Sequence, residues 1–263
     1  IDKAKLLDET LPLETDTGLR TPFWCRSSLE DYLLIAFQRW YAPRIDNRKY
    51  DGMFLEVTLN GEKLTTDKMA PIFQLIQSLY NSRPGEEQRF AGKKVNSKPV
   101  EIRRNTFSRG DARSGWINYA KVTAEELGME APDNLPSPYS YINKSNSDVL
   151  YNDPIVLYTR KPGMVVAYST TDDWTDSIPK SDIGEYIVGI FVANSNNILA
   201  QNNISFEEYI RAGEKADHMS WDDWAIVGRN LQIITRVKRG VRKKIKDDFT
   251  NMKGISEEKK NLG

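Results

Sequence analysis

The chain reads as an α+β protein: a mixed sheet with flanking helices and a long C-terminal amphipathic helix. Three observations carry that expectation. Apolar residues recur at three- and four-residue steps from Leu29 to Trp40 and from Met69 to Tyr80. The β-rich runs IVLYT, MVVAYS and YIVGIFVA follow one another between residues 155 and 193. From Trp221 to Ile245, apolar residues again mark one helix face while cations load the remaining surface. With 263 residues, 39% of them hydrophobic and 28% charged, there is enough apolar content for one large domain or two small ones.

Taken in order, residues 1–24 hold Pro12 and Pro22 without sustained periodicity and form an irregular leading segment. A first α+β unit spans 25–130. Ser27 and Glu30 have capping-box spacing, and Leu29, Leu33, Ala36, Phe37 and Trp40 continue a helix until Pro43 stops it. MFLEVTLNGEKL is a strand that reverses at Asn60-Gly61. Thr65 or Thr66 then caps a helix carrying Met69, Ile72, Phe73, Ile76, Leu79 and Tyr80. After a polar loop from Ser82 to Lys98 come the strands PVEIRRNTF and GWINYAKV, joined by RNTFSRGDARSG as a mobile connection, and a short helix over Thr123–Met129. Residues 131–152, with three prolines and several Ser and Asn, read as a linker-like loop. A β-hairpin and central strand unit occupies 153–205. Pro162 and Gly163 suit the two central positions of its type II turn, and YIVGIFVA, apolar on both faces, is expected at the centre of the sheet. A helical region over 206–250 and a frayed tail over 251–263 close the chain.

Charge and composition exclude several classes. Lys plus Arg equals Asp plus Glu at 37 each, so attraction to nucleic acid or membrane must come from a local patch. The one cysteine, Cys25, rules out an internal disulfide and a cysteine-based zinc site. YLLIAF is too short to span a bilayer and the start of the chain is charged, so the expectation is a cytoplasmic protein without membrane contact. The sequons at Asn143 and Asn203 carry little weight without a secretory signal. Beginning on Ile1, the sequence reads as a piece of a longer protein.

Catalytic signatures are missing: there is no GxSxG, no Walker loop, one histidine, and no metal-ligand spacing. A hydrolase or nuclease would have to centre on Asp217 and His218, where helix-capping roles are simpler, and Asp222 and Asp223 fit a helix first turn. A restriction-type nuclease pattern through Asp51 and Glu56 breaks at Thr58. Two cationic features remain. Arg236, Lys238, Arg239, Arg242, Lys243, Lys244 and Lys246 crowd the C-terminal helix and are candidates for sequence-independent phosphate binding to DNA or RNA. Arg160 and Lys161 sit at the hairpin tip, where they either solubilise the turn or reach a phosphate on another domain.

The order of SSLEDYLLIAFQRWYAPRI, LEVTLNGEKL, RKPGMVVAY, YIVGIFVANS and FEEYIRAGEKADHMSWDDW resembles the region that follows the nucleotide-binding domain in bacterial ATPases of the GHKL superfamily, which includes gyrase B, the MutL proteins and chaperones with the same ATP fold. Arg160–Val166, Gly189–Ala193 and Arg211–Trp224 carry it, and it covers most of residues 20–245. The resemblance implies a non-catalytic transducer region that relays nucleotide state to DNA or a protein partner in repair or phage defence, with a homodimer as a plausible state. By the same resemblance, Arg160 or Lys161 would meet the ATP γ-phosphate. The superfamily's Asn-bearing helix and DxGxG loop do not occur here, so the chain would hold no cofactor itself. ATP and Mg would belong to a partner nucleotide-binding domain.

Overall fold

The structure is a computed structural model that describes residues 29–82, 88–161, 163–214, 220–226 and 229–260. It is α+β: a five-stranded mixed sheet with helices on both faces and a long C-terminal helix.

Helix α1 (Leu29–Tyr41) ends ahead of Pro43 as its periodicity predicts, while Ser27 lies outside the described residues. Strands β1 (Val57–Leu59) and β2 (Glu62–Leu64) pair around Asn60 and Gly61, both at positive φ, which is the reversal the Asn-Gly dipeptide demands. Helix α2 (Pro71–Asn81) starts later than a Thr65 or Thr66 cap would place it. Thr66–Lys68 form a 3-10 turn, Ala70 is extended, and Pro71 takes the first helical position, where its missing N–H costs nothing. The buried Gln38 of α1 fixes that start, its Oε1 accepting from the Ala70 N–H at 2.8 Å.

Strands β3 (Asn96–Glu101), β4 (Arg113–Thr123), β5 (Ile155–Thr159), β6 (Val165–Ser169) and β7 (Glu185–Ala193) make the sheet in the order β3-β4-β7-β5-β6. All neighbours are antiparallel except β7 and β5, which run parallel. The doubly apolar YIVGIFVA run is central, as expected. Alternation along each strand feeds two cores. Ala120, Val122, Ile155, Leu157, Val188 and Ile190 face α1 and α2; Ile117, Tyr119, Val156, Tyr158, Ile187 and Phe191 face the opposite layer. That layer contains α4 (Phe206–Ala212), which follows α3 (Pro138–Tyr141) in the chain, and α5 (Ile233–Lys260).

Several expectations change here. The 131–152 stretch does not divide the sheet: β4 from the first expected unit pairs with β7 from the second over nine residue pairs, and Tyr139, Tyr141 and Ile142 of the stretch are buried in the core. Thr123–Met129 gives a 3-10 turn, Glu125–Leu127. The hairpin turn closes one residue earlier than a Pro162-Gly163 centre requires, with the Gly163 N–H donating to Arg160 O at 2.9 Å; Pro162 itself lies outside the described residues. A bulge near Tyr158/Thr159 shifts the register and turns both Val166 and Ala167 to the α5 side.

The last helix also begins later. Trp221 and Trp224 precede it, Gln232 takes a left-handed conformation, and α5 starts at Ile233. The cause is Asp223, whose carboxylate accepts from the backbone N–H groups of Ile234 (2.8 Å) and Thr235 (3.0 Å) and so caps the helix from outside. Trp221 is instead a core residue, packed on Tyr158 at 4.7 Å between ring centroids. The helix runs on to Lys260, past Phe249 where its apolar pattern stops. Gly240 lets α5 approach β3 closely, since a Cβ there would stand 2.8 Å from Val100.

Candidate nucleic-acid interface

Strand directions decide where the loops gather. β3, β5 and β7 all point the same way, because β4 is antiparallel to both β3 and β7 while β5 is parallel to β7. Their carboxyl ends therefore share one edge of the sheet. Helix α5 runs against β3, with Gly240 beside Val100 and Asp248 paired to Lys98 at 3.4 Å, so its N-terminal turns reach the same edge. In open sheets with parallel strands, this is where ligands bind.

Three loops supply that edge. The first, residues 102–112, overlaps the RNTFSRGDARSG stretch expected to be a mobile connection, and it is tied down. Phe107 is buried, its ring set edge-on to Phe206 at 5.7 Å, and a bridge to Leu199 is flanked by bonds from the Ser108 N–H to Ile198 O (2.8 Å) and the Ala200 N–H to Thr106 O (2.9 Å). With its apolar residue buried, the loop presents Arg103, Arg104 and Arg109 to solvent. Arg113 at the loop's end is neutralised by Asp111, whose carboxyl is held below its usual range chiefly by the Arg113 hydrogen bond. Arg103 and Arg236 line one groove with Asn105, Thr106, Gln201 and Leu231; Arg104, Arg109 and Arg113 line another together with Glu101 and Asp111.

The second loop is the β5–β6 turn, and there the two expected phosphate contacts part ways. The Arg160 guanidinium is enclosed, donating to Glu214 at 2.8 Å and to Glu207 at 3.2 Å. Burial works against its charge, but the two carboxylates raise its pKa regardless. Its charge is thus spent within the protein. The Lys161 backbone N–H is held by Ser195 Oγ (3.2 Å) and Glu207 (3.1 Å), while its ammonium extends to Asn196 Oδ1 at 3.3 Å on the exposed rim. The third loop, residues 194–205, joins these two. The Asn194 N–H donates to Ser114 O at 2.8 Å, and Ser195 Oγ donates to Glu207 at 2.7 Å.

The helix cations separate by face. Lys238 lies 3.7 Å from Asp173 and 6.0 Å from the Trp174 ring centre, and Arg242 binds Asp176 at 3.0 Å, so these two answer local acids. Lys243 and Lys246 are exposed further along, with Lys244 half-buried between them, well away from the loop edge. Only Arg236 and Arg239 join the loop arginines. Partial burial and then the neighbouring Arg103 guanidinium lower the Arg236 pKa, opposed by Asp223 and reinforced by Arg239. Arginine stays charged through such a shift, of which burial is the first cause and repulsion from Arg103 the second. Arg103, Arg104, Arg109, Arg236 and Arg239 form no ion pair among the described residues.

Sequence reading found Arg236 and Arg239 by their helical clustering and passed over Arg103, Arg104 and Arg109. The Arg-Arg pair between two strands was a visible signal, but its proximity to α5 depends on sheet order. Asp222 and Asp223 answer to structure: the Asp222 N–H donates to Gly213 O, and Asp223 caps α5. Asp217 and His218 lie outside the described residues. Among the described residues, no group of three or more His, Cys, Asp or Glu is placed to hold a metal ion, and no helix is long and apolar enough to cross a membrane.

On the α2 side of this edge lies a cleft of about 250 Å³ lined by Tyr50, Tyr80, Trp116, Asn118, Lys161 and Asn194, among others. Its floor residue Asn118 is fully buried, and its Nδ2 donates to Leu79 O (2.8 Å) and Ser82 O (3.2 Å). Asn118 Oδ1 has no hydrogen-bond partner among the described residues, an omission that costs about 1–3 kcal/mol in a buried amide. Comparison with known proteins finds no family model, no curated protein and no solved structure that matches this chain.

Proposed function

We propose that the carboxyl edge of the sheet binds the sugar-phosphate backbone of a nucleic acid without reading its sequence. One observation carries this reading: two chain segments far apart in sequence, 102–112 and the start of α5, bring Arg103, Arg104, Arg109, Arg236 and Arg239 to one edge, where none of the five forms an ion pair among the described residues, although Asp223, Glu101 and Asp111 lie nearby. Like charges held together by a rigid loop and a capped helix repel one another, and a row of phosphates relieves that repulsion. Arginine forks also match phosphate oxygens in pairs. The chain is neutral overall, so the attraction is confined to this edge and acts at short range.

Fluorescence anisotropy with a labelled duplex across a salt series tests this. Log affinity is expected to fall linearly with log salt, and Arg103→Glu or Arg236→Glu to weaken binding about tenfold or more, each single contact removed flattening the slope by about one. Lys243→Glu with Lys246→Glu should do little. Absent or salt-insensitive binding overturns the reading; equal loss from the two lysine changes would move the interface down the helix.

A second reading is favoured by Lys161: the coupling region of a larger GHKL-type ATPase, in which a partner domain supplies ATP and Mg. Lys161 has the anchored backbone and outward ammonium that a γ-phosphate contact needs, whereas Arg160 is occupied by Glu207 and Glu214. Lys161→Ala in the longer gene product should then lower ATP turnover while leaving folding intact; a longer product that hydrolyses no ATP retires this reading.

A further inference from the structure

At the opposite edge of the sheet, apolar side chains stand in solvent. Val149, Leu150 and Tyr151 are 90%, 69% and 45% exposed, and Ile183 is 60% exposed. Residues 151–152 pair with 181–182 in a short antiparallel ladder, with Tyr151 opposite Asp182. One step further in that register sets Ile183 opposite Leu150, so the four apolar residues are neighbours by chain or by ladder. They lead directly into the starts of β5 and β7, which places them at the amino edge, away from the loop arginines. Single exposed apolar side chains are ordinary, but a patch of four, on the order of a few hundred Å², has the size that marks an interaction site.

The patch is held in place. The Asn146 Nδ2 donates to Asp148 O (2.6 Å) and Tyr151 O (2.7 Å), and its Oδ1 accepts from the Asp153 N–H (2.9 Å). The Asp148 carboxylate accepts from the Leu150 N–H at 2.9 Å, and that of Asp153 from the Ser147 N–H at 2.6 Å. Lys180 pins both carboxylates, at 3.2 Å from Asp148 and 2.9 Å from Asp153. Across the ladder, the Asn152 Nδ2 donates to Glu185 O at 3.0 Å, and Gly184 O accepts from the Ala124 N–H at 2.7 Å. An apolar loop fixed in this way loses little freedom when it meets a partner.

We propose that this patch is a self-association surface, on which a second copy of the chain packs two-fold so that Leu150 of one copy meets Ile183 of the other. Three features select a second copy. The ladder sets Leu150 and Ile183 side by side on antiparallel segments, and a two-fold axis running between them turns the pair into reciprocal contacts. The chain carries no net charge, so two copies approach without long-range repulsion. Counted on both copies with its polar rim, the patch comes to about 1,000 Å², the lower bound for a specific contact and the range of weak ones. An anionic membrane surface is a poorer match, because it would find Asp182 exposed beside the patch and Lys180 already engaged by two carboxylates.

Sedimentation velocity of the chain over a concentration series tests this. The weight-average sedimentation coefficient should rise with concentration and give a dissociation constant of about 10–100 μM, as suits so small an interface. Leu150→Asp with Ile183→Asp should weaken association at least about tenfold, since burial of one such side chain accounts for that factor. Both positions are exposed, and an unchanged Tm shows that the double variant folds. Met53→Asp, at an exposed apolar residue elsewhere, should leave the association as it is. Salt at about 0.5 M should also leave it intact, whereas a dimer held through the cationic edge would dissociate. A chain that stays monomeric throughout overturns the proposal, as does a dimer indifferent to the double substitution. Flotation with phosphatidylcholine vesicles that the monomeric wild type joins and the double variant does not would overturn it too, giving the patch to lipid.

Discussion

Asp223 holds α5 at its first turn with one carboxylate. Burial alone would push its pKa up, yet the N–H and hydroxyl of Thr235, the Ile234 N–H and the Tyr209 hydroxyl together leave it below the ordinary value. The sign follows directly. A carboxyl with a depressed folded-state pKa contributes stability above its unfolded value of about 3.9, and that contribution is lost as pH falls through the lower folded value. Chemical denaturation followed between about pH 6 and pH 2.5 should show wild-type stability dropping below about pH 4, with Asp223→Asn less stable at neutral pH by about 1–2 kcal/mol and flatter in the acid range. A parallel pair of curves would mean that Asp223 is not the titrating cap. The same residue shows what the sequence could convey at this scale. SWDDW has the acidic look of a helix start, but the helix that Asp223 caps begins ten residues later, across a left-handed Gln232. Arg160 is similar: its partners Glu207 and Glu214 lie on and just beyond α4, and no local pattern announces a pairing over 47 and 54 residues.

Periodicity located the secondary elements well and their ends poorly. The spacing from Leu29 to Trp40 stops at Pro43 because proline leaves no alternative, whereas the starts of α2 and α5 depend on contacts from Gln38 and Asp223 that come from outside each helix. Gly240 is informative in the opposite direction. Glycine within a helix costs about 1 kcal/mol relative to alanine, so Gly240→Ala would be stabilising on propensity alone. Here the added methyl would meet the fully buried Val100 at 2.8 Å, and overpacking of that kind costs about 1–3 kcal/mol. Gly240→Ala should therefore lower Tm rather than raise it, and double substitution with Val100→Ala should recover part of the loss. A higher Tm for the single variant would show that α5 does not rest on β3 as described.

At the scale of the whole molecule, the mixed α+β architecture was legible from segment order, but the sheet order was not. The strands run β3-β4-β7-β5-β6, so the central strand arrives last, and the proline-bearing stretch that resembles a linker connects strands of one sheet. Cutting the chain within 131–152 is expected to give two fragments that stay largely unfolded by circular dichroism when separate and regain sheet signal when mixed. Independent folding of either fragment would contradict a single cooperative sheet. Convergence of Arg103 with Arg236 has the same origin: the two are neighbours because α5 crosses back over β3, and a reading confined to local segments sees only two unrelated groups of cations.

One edge of this sheet has a bearing on how copies of the protein behave when crowded together. Strand β3 is outermost on its side, and it carries Lys98, Pro99 and a register shift at Val100/Glu101. A proline offers no N–H, a lysine resists desolvation, and an irregular register spoils the regular row of donors and acceptors on which a further strand would template. Fibril-like growth by end-on ladder extension is therefore blocked along β3, and any self-association of the protein must proceed through side chains instead of a shared backbone ladder at that edge.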